Sequence, residues 1–244
     1  MSLKHTSFKK LRKDKRKWKI GSWKEFDERE DTFLKERIRN KEPTIPGKVR
    51  ISGGKAKNIM IEIPKTTRPL TDRMKVRIFD ILRNDIVKKN ILDLYAGTGS
   101  FALEALSRGA KSAVLVDAAK NAYHILQSNV LITGFLSETE VIKSKVDEYL
   151  LKAIKKERKF DIIFMDPPYK LFNTKKVFKM QNTINLASQL LPVKEKKFKG
   201  VVIIKHPRRY PLDRLKLETL QIFETYEFGL NSITIFIVKI DKKD

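Results

Sequence analysis

Asp166-Pro167-Pro168-Tyr169 follows an apolar run, Phe160-Asp161-Ile162-Ile163-Phe164-Met165. A run of this kind reads as a strand buried on both faces of a parallel sheet. Two prolines stop it, because they fix φ and donate nothing to a ladder. An acid, two proline carbonyls and an aromatic ring are thereby collected at a strand's carboxyl end, where open α/β sheets bind ligands. The chemistry this set suits is methylation of an exocyclic amine on a planar base. Such an amine has its lone pair delocalised into the ring until acceptors hold its two N–H groups. Asp166 and the Pro167 carbonyl could each take one N–H, and Tyr169 could stack on an extruded base.

A second group lies upstream. Asp93-Leu94-Tyr95-Ala96-Gly97-Thr98-Gly99 joins a strand to a helix, and the glycines let the backbone turn sharply against a ligand. Asp117 ends the next strand, where a carboxylate can take both ribose hydroxyls. Gly97-x-Gly99-x-x-Ala102 fits a dinucleotide site as well as S-adenosylmethionine. The acid Asp93 ahead of the glycines, placed for the amino group of a methionine moiety, and the amine-holding group on the fourth strand favour S-adenosylmethionine.

These groups need a scaffold, and the chain supplies one. From Asn90 onward strands and helices alternate, as in a parallel sheet. Strands are expected over Ile91–Leu94, Ser112–Val116, Val141–Ile142, Asp161–Met165 and Gly200–Ile204. Two late strands, Leu217–Phe228 and Ile233–Ile240, are joined near Gly229 with no room for a crossover helix, so they should be antiparallel. Helices are expected around Phe101–Leu106, over Lys120–Thr133 with Gly134 as cap, over Val146–Ile154 and over Ile184–Leu191. Residues 170–180 read as an irregular basic loop over the site. Upstream, Val49–Ile51 and Ile59–Ile63 flank Gly53-Gly54 as a β-hairpin carrying Arg50, Lys55 and Lys57. Thr71 or Asp72 caps a helix with an apolar stripe of Met74, Ile78, Phe79, Ile81 and Leu82.

Three segments result: a basic extension over 1–46, a β-hairpin and linker over 47–70, and the main domain over 71–244. In the 244-residue chain 53 Lys and Arg stand against 29 Asp and Glu, a net +24, which points to a polyanionic partner. Nine of the first 20 residues are Lys or Arg, with Trp18 and Trp23 nearby, a composition suited to phosphate contact and base stacking. From Lys24 to Lys41 a short helix is expected, ended by Pro43 and Pro46. No cysteine is present, which excludes disulfides, thiolate catalysis and Cys-based metal sites. His5, His124 and His206 are scattered, and no metal is expected. No apolar run is long enough to span a membrane, so no membrane partner is expected, and the protein reads as cytoplasmic.

With Asp93–Gly99, Leu103-Glu104-Ala105-Leu106-Ser107-Arg108-Gly109-Ala110 and Asp166–Tyr169 quoted, the chain resembles the RsmD family of bacterial 16S rRNA (guanine-N2)-methyltransferases. Arg68-Pro69-Leu70-Thr71-Asp72-Arg73 resembles that family's R-P-T-x-D-R-x-K segment, and the resemblance runs from about Val49 to the carboxyl terminus. It implies a class I S-adenosylmethionine-dependent methyltransferase: Rossmann-like α/β, with a mostly parallel seven-stranded sheet in the order 3-2-1-4-5-7-6. It implies S-adenosyl-L-methionine as cofactor, and 16S rRNA or the assembling small ribosomal subunit as partner. A monomer is expected. Asp93, Tyr95, Ala96, Gly97, Thr98 and Gly99 would line the methionine end, Asp117 the ribose, and the backbone of Val146 the adenine. Asp166, Pro167, Pro168 and Tyr169 would hold a flipped guanine. Arg68, Thr71, Asp72 and Arg73 would border cofactor and base, with Arg50, Lys55 and Lys57 on RNA. Two other readings remain: adenine-N6 methylation of DNA or RNA, and a non-catalytic RNA-binding assembly factor.

Overall fold

Strands with no polar face must be covered on both sides, and the runs around Leu92, Val114, Ile163 and Val202 form the middle of such a sheet. The computed structural model describes residues 47–64, 70–172, 177–192 and 200–239; the basic extension over 1–46, with the helix expected in it, and Arg68 lie outside the described residues. A two-stranded antiparallel ribbon, β1 (Lys48–Arg50) and β2 (Met60–Glu62), precedes the main sheet. That sheet holds β3 (Asn90–Leu94), β4 (Ser112–Asp117), β5 (Thr139–Lys143), β6 (Ile162–Met165), β7 (Val201–Pro207), β8 (Leu220–Phe228) and β9 (Asn231–Val238). Its order is β5-β4-β3-β6-β7-β9-β8. Counted from β3 this is 3-2-1-4-5-7-6, as the resemblance implies. Strands β3 to β7 pair in parallel, while β9 runs antiparallel to both β7 and β8.

Helices α1 (Asp72–Leu82), α2 (Ser100–Ser107) and α3 (Lys120–Thr133) cover one face, and α4 (Val146–Lys155) and α5 (Val177–Ser188) the other. Side chains alternate across a strand. Ile91, Phe164 and Ile203 therefore pack with Met74, Ile78 and Phe101. Leu92, Ile163 and Val202 pack with Leu150 and Ile184 on the opposite side. Phe101 stacks on Phe164 with centroids 4.2 Å apart, fixing α2 over the central strand. Thr71 caps α1 by accepting the Met74 N–H at 3.3 Å.

Helix α5 begins seven residues before the expected start at Ile184, inside the stretch read as a loop. Lys179, Gln181 and Asn182 hide the pattern, yet Met180, Ile184 and Ala187 form one buried stripe. The helix ends at Ser188 and the expected Leu191 falls in a turn; Pro192 disfavours helical backbone in the residue before it. A short 3-10 turn, Tyr169–Leu171, occupies the start of the same stretch. Residues 173–176 lie outside the described ones.

The ribbon shares the core of the sheet, since Val49, Ile51, Ala56 and Ile61 are buried with α1 and α2. Its turn sits on the carboxyl end of α2. Gly54 has φ +76°, and a Cβ there would overlap the Ser107 carbonyl. Lys55 N–H donates to that carbonyl at 2.8 Å. Beneath the ribbon, fully buried Lys75 donates to the Arg50 carbonyl and lies 3.8 Å from the Glu104 carboxylate. Glu104 also accepts from Ser52 N–H at 2.7 Å and Arg108 Nε at 3.0 Å. A buried charge is tolerated only when paired in this way. Burial lowers the Lys75 pKa, while the charges of Glu104 and Asp72 oppose that.

Candidate active site at the carboxyl edge of the sheet

Parallel strands put all their carboxyl ends on one edge, and three acids stand there: Asp93 one residue before the end of β3, Asp117 at the end of β4, and Asp166 just after β6. Asp93 lies on β3, on the α2 face, wholly buried, and its Oδ2 accepts the Ala102 N–H at 3.2 Å. Burial pushes its carboxyl well above the usual carboxylate range, and the charges of Asp166 and Asp117 push the same way. The backbone brings the three acids to one edge: Asp166 N–H donates to the carbonyl of Leu94, the residue after Asp93, at 3.3 Å, and Asp117 ends the neighbouring strand β4.

The loop after β3 is built by unusual backbone. Tyr95, Gly97 and Gly99 have φ of +61°, +55° and +71°, and such values in a tyrosine are strained. A Cβ on Gly99 would come within 2.8 Å of Leu115 and 2.9 Å of Leu126. The loop is held from both sides. Ala96 N–H donates to the Val116 carbonyl at 3.1 Å, and Gly97 N–H to Asp117 Oδ2 at 3.0 Å. Asn129 of α3 donates to the Thr98 carbonyl and to the Glu62 carbonyl, both at 2.9 Å, tying the ribbon to the loop. Burial, then the charge of Asp147, raises the Tyr95 pKa. Val146 opens α4 with its side chain buried, leaving its backbone at the adjacent edge.

The Asp166–Tyr169 group joins this space from β6. Met165 pairs with Ile204 of β7, so the next residues, Asp166 and Lys205, are neighbours. Lys205 Nζ contacts both Asp166 oxygens, at 3.0 and 2.8 Å. Pro167 is buried and Pro168 exposed. The Tyr169 hydroxyl donates to Asn231 Oδ1 at the start of β9. Asn231 pairs with Phe228 across the last hairpin, and Arg73 lies over the Phe228 ring, 5.6 Å from its centroid. Helix α1, with Thr71, Asp72 and Arg73 at its start, therefore borders the same hairpin as Tyr169.

The other expected contacts are elsewhere. Lys55 pairs with Glu138 at 3.4 Å and Lys57 follows in the same turn. Ser107 and Glu138 both precede strands, so this turn sits at the amino edge of the sheet, opposite Asp166. The Arg50 side chain is exposed while its carbonyl is committed to Lys75. Lys205, Asn231 and Asn129 were not legible as site residues. Lys205 had one signal: a charge immediately after four apolar residues, in the strand beside Asp166.

The Conserved hypothetical protein 95 family matches this chain over residues 49–237. The chain belongs to that family. It is 29% identical over 187 residues to YlbH, a candidate rRNA methyltransferase of Bacillus subtilis (strain 168), covering 76% of this chain and 96% of that protein. It is 33% identical over 126 residues to ribosomal RNA small subunit methyltransferase D of Escherichia coli (strain K12), covering 51% of this chain and 62% of the relative. The solved structure of yhhF, a candidate methyltransferase of Escherichia coli, superposes with a TM-score of 0.62 at 24% identity, over 78% of this chain and 97% of that one. The fold is that of S-adenosylmethionine-dependent methyltransferases.

The donor set beside the loop is acidic: Asp93 is buried under it, Asp117 accepts the Gly97 N–H, and Asp166 is paired with Lys205. A buried acid at this place suits the ammonium of S-adenosylmethionine, whose charge would hold the Asp93 carboxylate ionised. The residues fit S-adenosylmethionine: Asp93 would face its ammonium, the Gly97–Gly99 backbone would lie alongside, and Asp117 would face the ribose.

Proposed function

We propose that this protein methylates the exocyclic N2 amine of a guanine in 16S rRNA, taken bare or within an assembling small subunit in the cytoplasm. The observation that carries this reading is the meeting of the Asp93–Gly99 loop and the Asp166–Tyr169 group at one sheet edge. S-adenosylmethionine supplies the electrophilic methyl carbon. The chain's own residues do the rest by position. Asp166 and the Pro167 carbonyl accept the two N–H groups of a flipped guanine, turning the nitrogen lone pair toward the methyl. A carboxylate offers about four lone-pair sites, so the Lys205 contact leaves Asp166 able to accept. Tyr169, fixed by Asn231, supports the base. Orientation of this kind is worth up to roughly 7–11 kcal/mol when complete. No strong base is required, since the amine sheds its proton readily once methylated.

RNA is held by charge. Arg50, Lys55, Lys57, Arg68, Arg73 and the basic extension over 1–46 meet phosphate, and Thr71 and Asp72 stand at the base. Lys55 and Lys57, at the far edge, serve flanking RNA rather than the target nucleotide. The segments 47–70 and 71–244 act as one body in this reading, with the extension as a separate arm. The enzyme works as a monomer.

The test separates holding the amine from holding the cofactor. Asp166→Ala removes the acceptor but strands buried Lys205, so Asp166→Asn, which keeps a partner for it, is run beside it. Both variants should lose at least about 100-fold in turnover, the range of a misplaced reacting group, while cofactor affinity by calorimetry stays within about threefold. Loss of both properties together would refute the assigned roles.

A further inference from the structure

Lys205 is a costly residue where it stands. It follows Val201–Ile204, a fully buried run in β7, and its side chain is 5% exposed. Its strand is held on both sides, by β6 and by β9, where Lys205 pairs with Ile233. The next residue is pinned too: His206 Nε2 lies 2.8 Å from Thr234 Oγ1, and Nδ1 lies 2.9 Å from the Tyr210 carbonyl. The ammonium therefore has little freedom, and it is aimed at both oxygens of Asp166. A buried ion pair is seldom worth more to folding than an apolar pair of the same shape. Its use must lie elsewhere.

We propose that Lys205 is a positioning residue for amine methylation: it fixes the plane of the Asp166 carboxylate so that one oxygen stays directed at the substrate amine. This rests on the proposed function, and concerns only how Asp166 is aimed. Without the ammonium, the contact that β7 makes with both Asp166 oxygens is lost. The carboxylate plane is then no longer set from that side, and at 17% exposure it has room to rotate. A carboxylate that swings by an ångström loses most of its orienting effect.

The experiment compares wild type, Lys205→Met, Lys205→Arg, Asp166→Asn and the double variant Lys205→Met/Asp166→Asn, scored on whichever methylated nucleoside the wild type forms. Lys205→Met should lower kcat about 10–100-fold, with KM for S-adenosylmethionine within about threefold and a melting temperature near wild type. Lys205→Arg should recover at least half of the loss on a logarithmic scale. The double variant should be no slower than Asp166→Asn alone, because residues acting as a unit are not additive. Turnover of Lys205→Met within threefold of wild type would overturn the proposal, as would losses that multiply in the double variant. If Lys205→Met does not fold, Lys205→Gln takes its place: wild-type KM with a reduced kcat supports the role, and unchanged kinetics overturn it. A wild type that methylates no nucleoside sinks the functional reading instead. The pairing is then read from the Lys205 ammonium resonance, which must shift in Asp166→Asn; an unmoved resonance overturns it.

Discussion

Replacing Asp93 with Asn should stabilise the empty protein and weaken cofactor binding, two effects of opposite sign. Asp93 is wholly buried and its folded pKa is raised above the ordinary 3.8, first by burial and then by Asp166 and Asp117. Between 3.8 and the raised value the folded state binds more protons than the unfolded chain, so stability falls as pH rises through that window. Asparagine carries no charge to bury and its carbonyl can keep the Ala102 N–H bond, 3.2 Å in the native loop. Buried carboxylates cost several kcal/mol, part of which relaxation already recovers, so the gain at neutral pH should be about 1–3 kcal/mol. For a domain this size that is a rise in Tm of roughly 2–10 °C. The cofactor's ammonium loses a charge-assisted hydrogen bond worth about 1.5–3 kcal/mol, which raises Kd roughly 10- to 150-fold. Differential scanning fluorimetry without cofactor and calorimetry with it read the two effects. Wild-type affinity should also rise with pH as Asp93 deprotonates, and Asp93→Asn should flatten that dependence. A variant that melts earlier and binds cofactor as well as wild type would refute the assignment of Asp93.

Gly54→Ala should destabilise by about 2–4 kcal/mol, because the new Cβ overlaps the Ser107 carbonyl at φ +76°, combining a backbone clash with left-handed strain; thermal melts would show it, and an unchanged Tm would mean the ribbon is not docked on α2. Deleting residues 1–20, with their nine Lys and Arg, should make the plot of log affinity for rRNA against log salt shallower by about 0.7–0.9 for each phosphate released. An unchanged slope would mean the arm touches no phosphate.

Much of the fold was legible because its signals are local. The strands around Leu92, Val114 and Ile163 announce themselves as apolar runs, the Tyr95–Gly99 loop by its glycines, and the antiparallel pair at the end by a connection too short for a helix. The start of α5 was not legible, because its polar face hides Met180. Docking of the ribbon depends on Gly54 meeting Ser107 and on Lys75 meeting Glu104, contacts between residues distant in sequence whose partners no local pattern names. The same holds at the site. Asp93, Asp117 and Asp166 are legible as candidates by their places at strand ends, whereas Lys205 and Asn231 join the candidates only once β7 and β9 lie beside β6.

The most direct measurement is mass spectrometry of nucleosides after incubating the protein with S-adenosylmethionine and small-subunit rRNA or particles lacking the modification. The account predicts N2-methylguanosine, formed by wild type and absent with Asp166→Ala. N6-methyladenosine would keep the amine-holding site and contradict the guanine; no methylated nucleoside on any rRNA or particle would contradict catalysis itself.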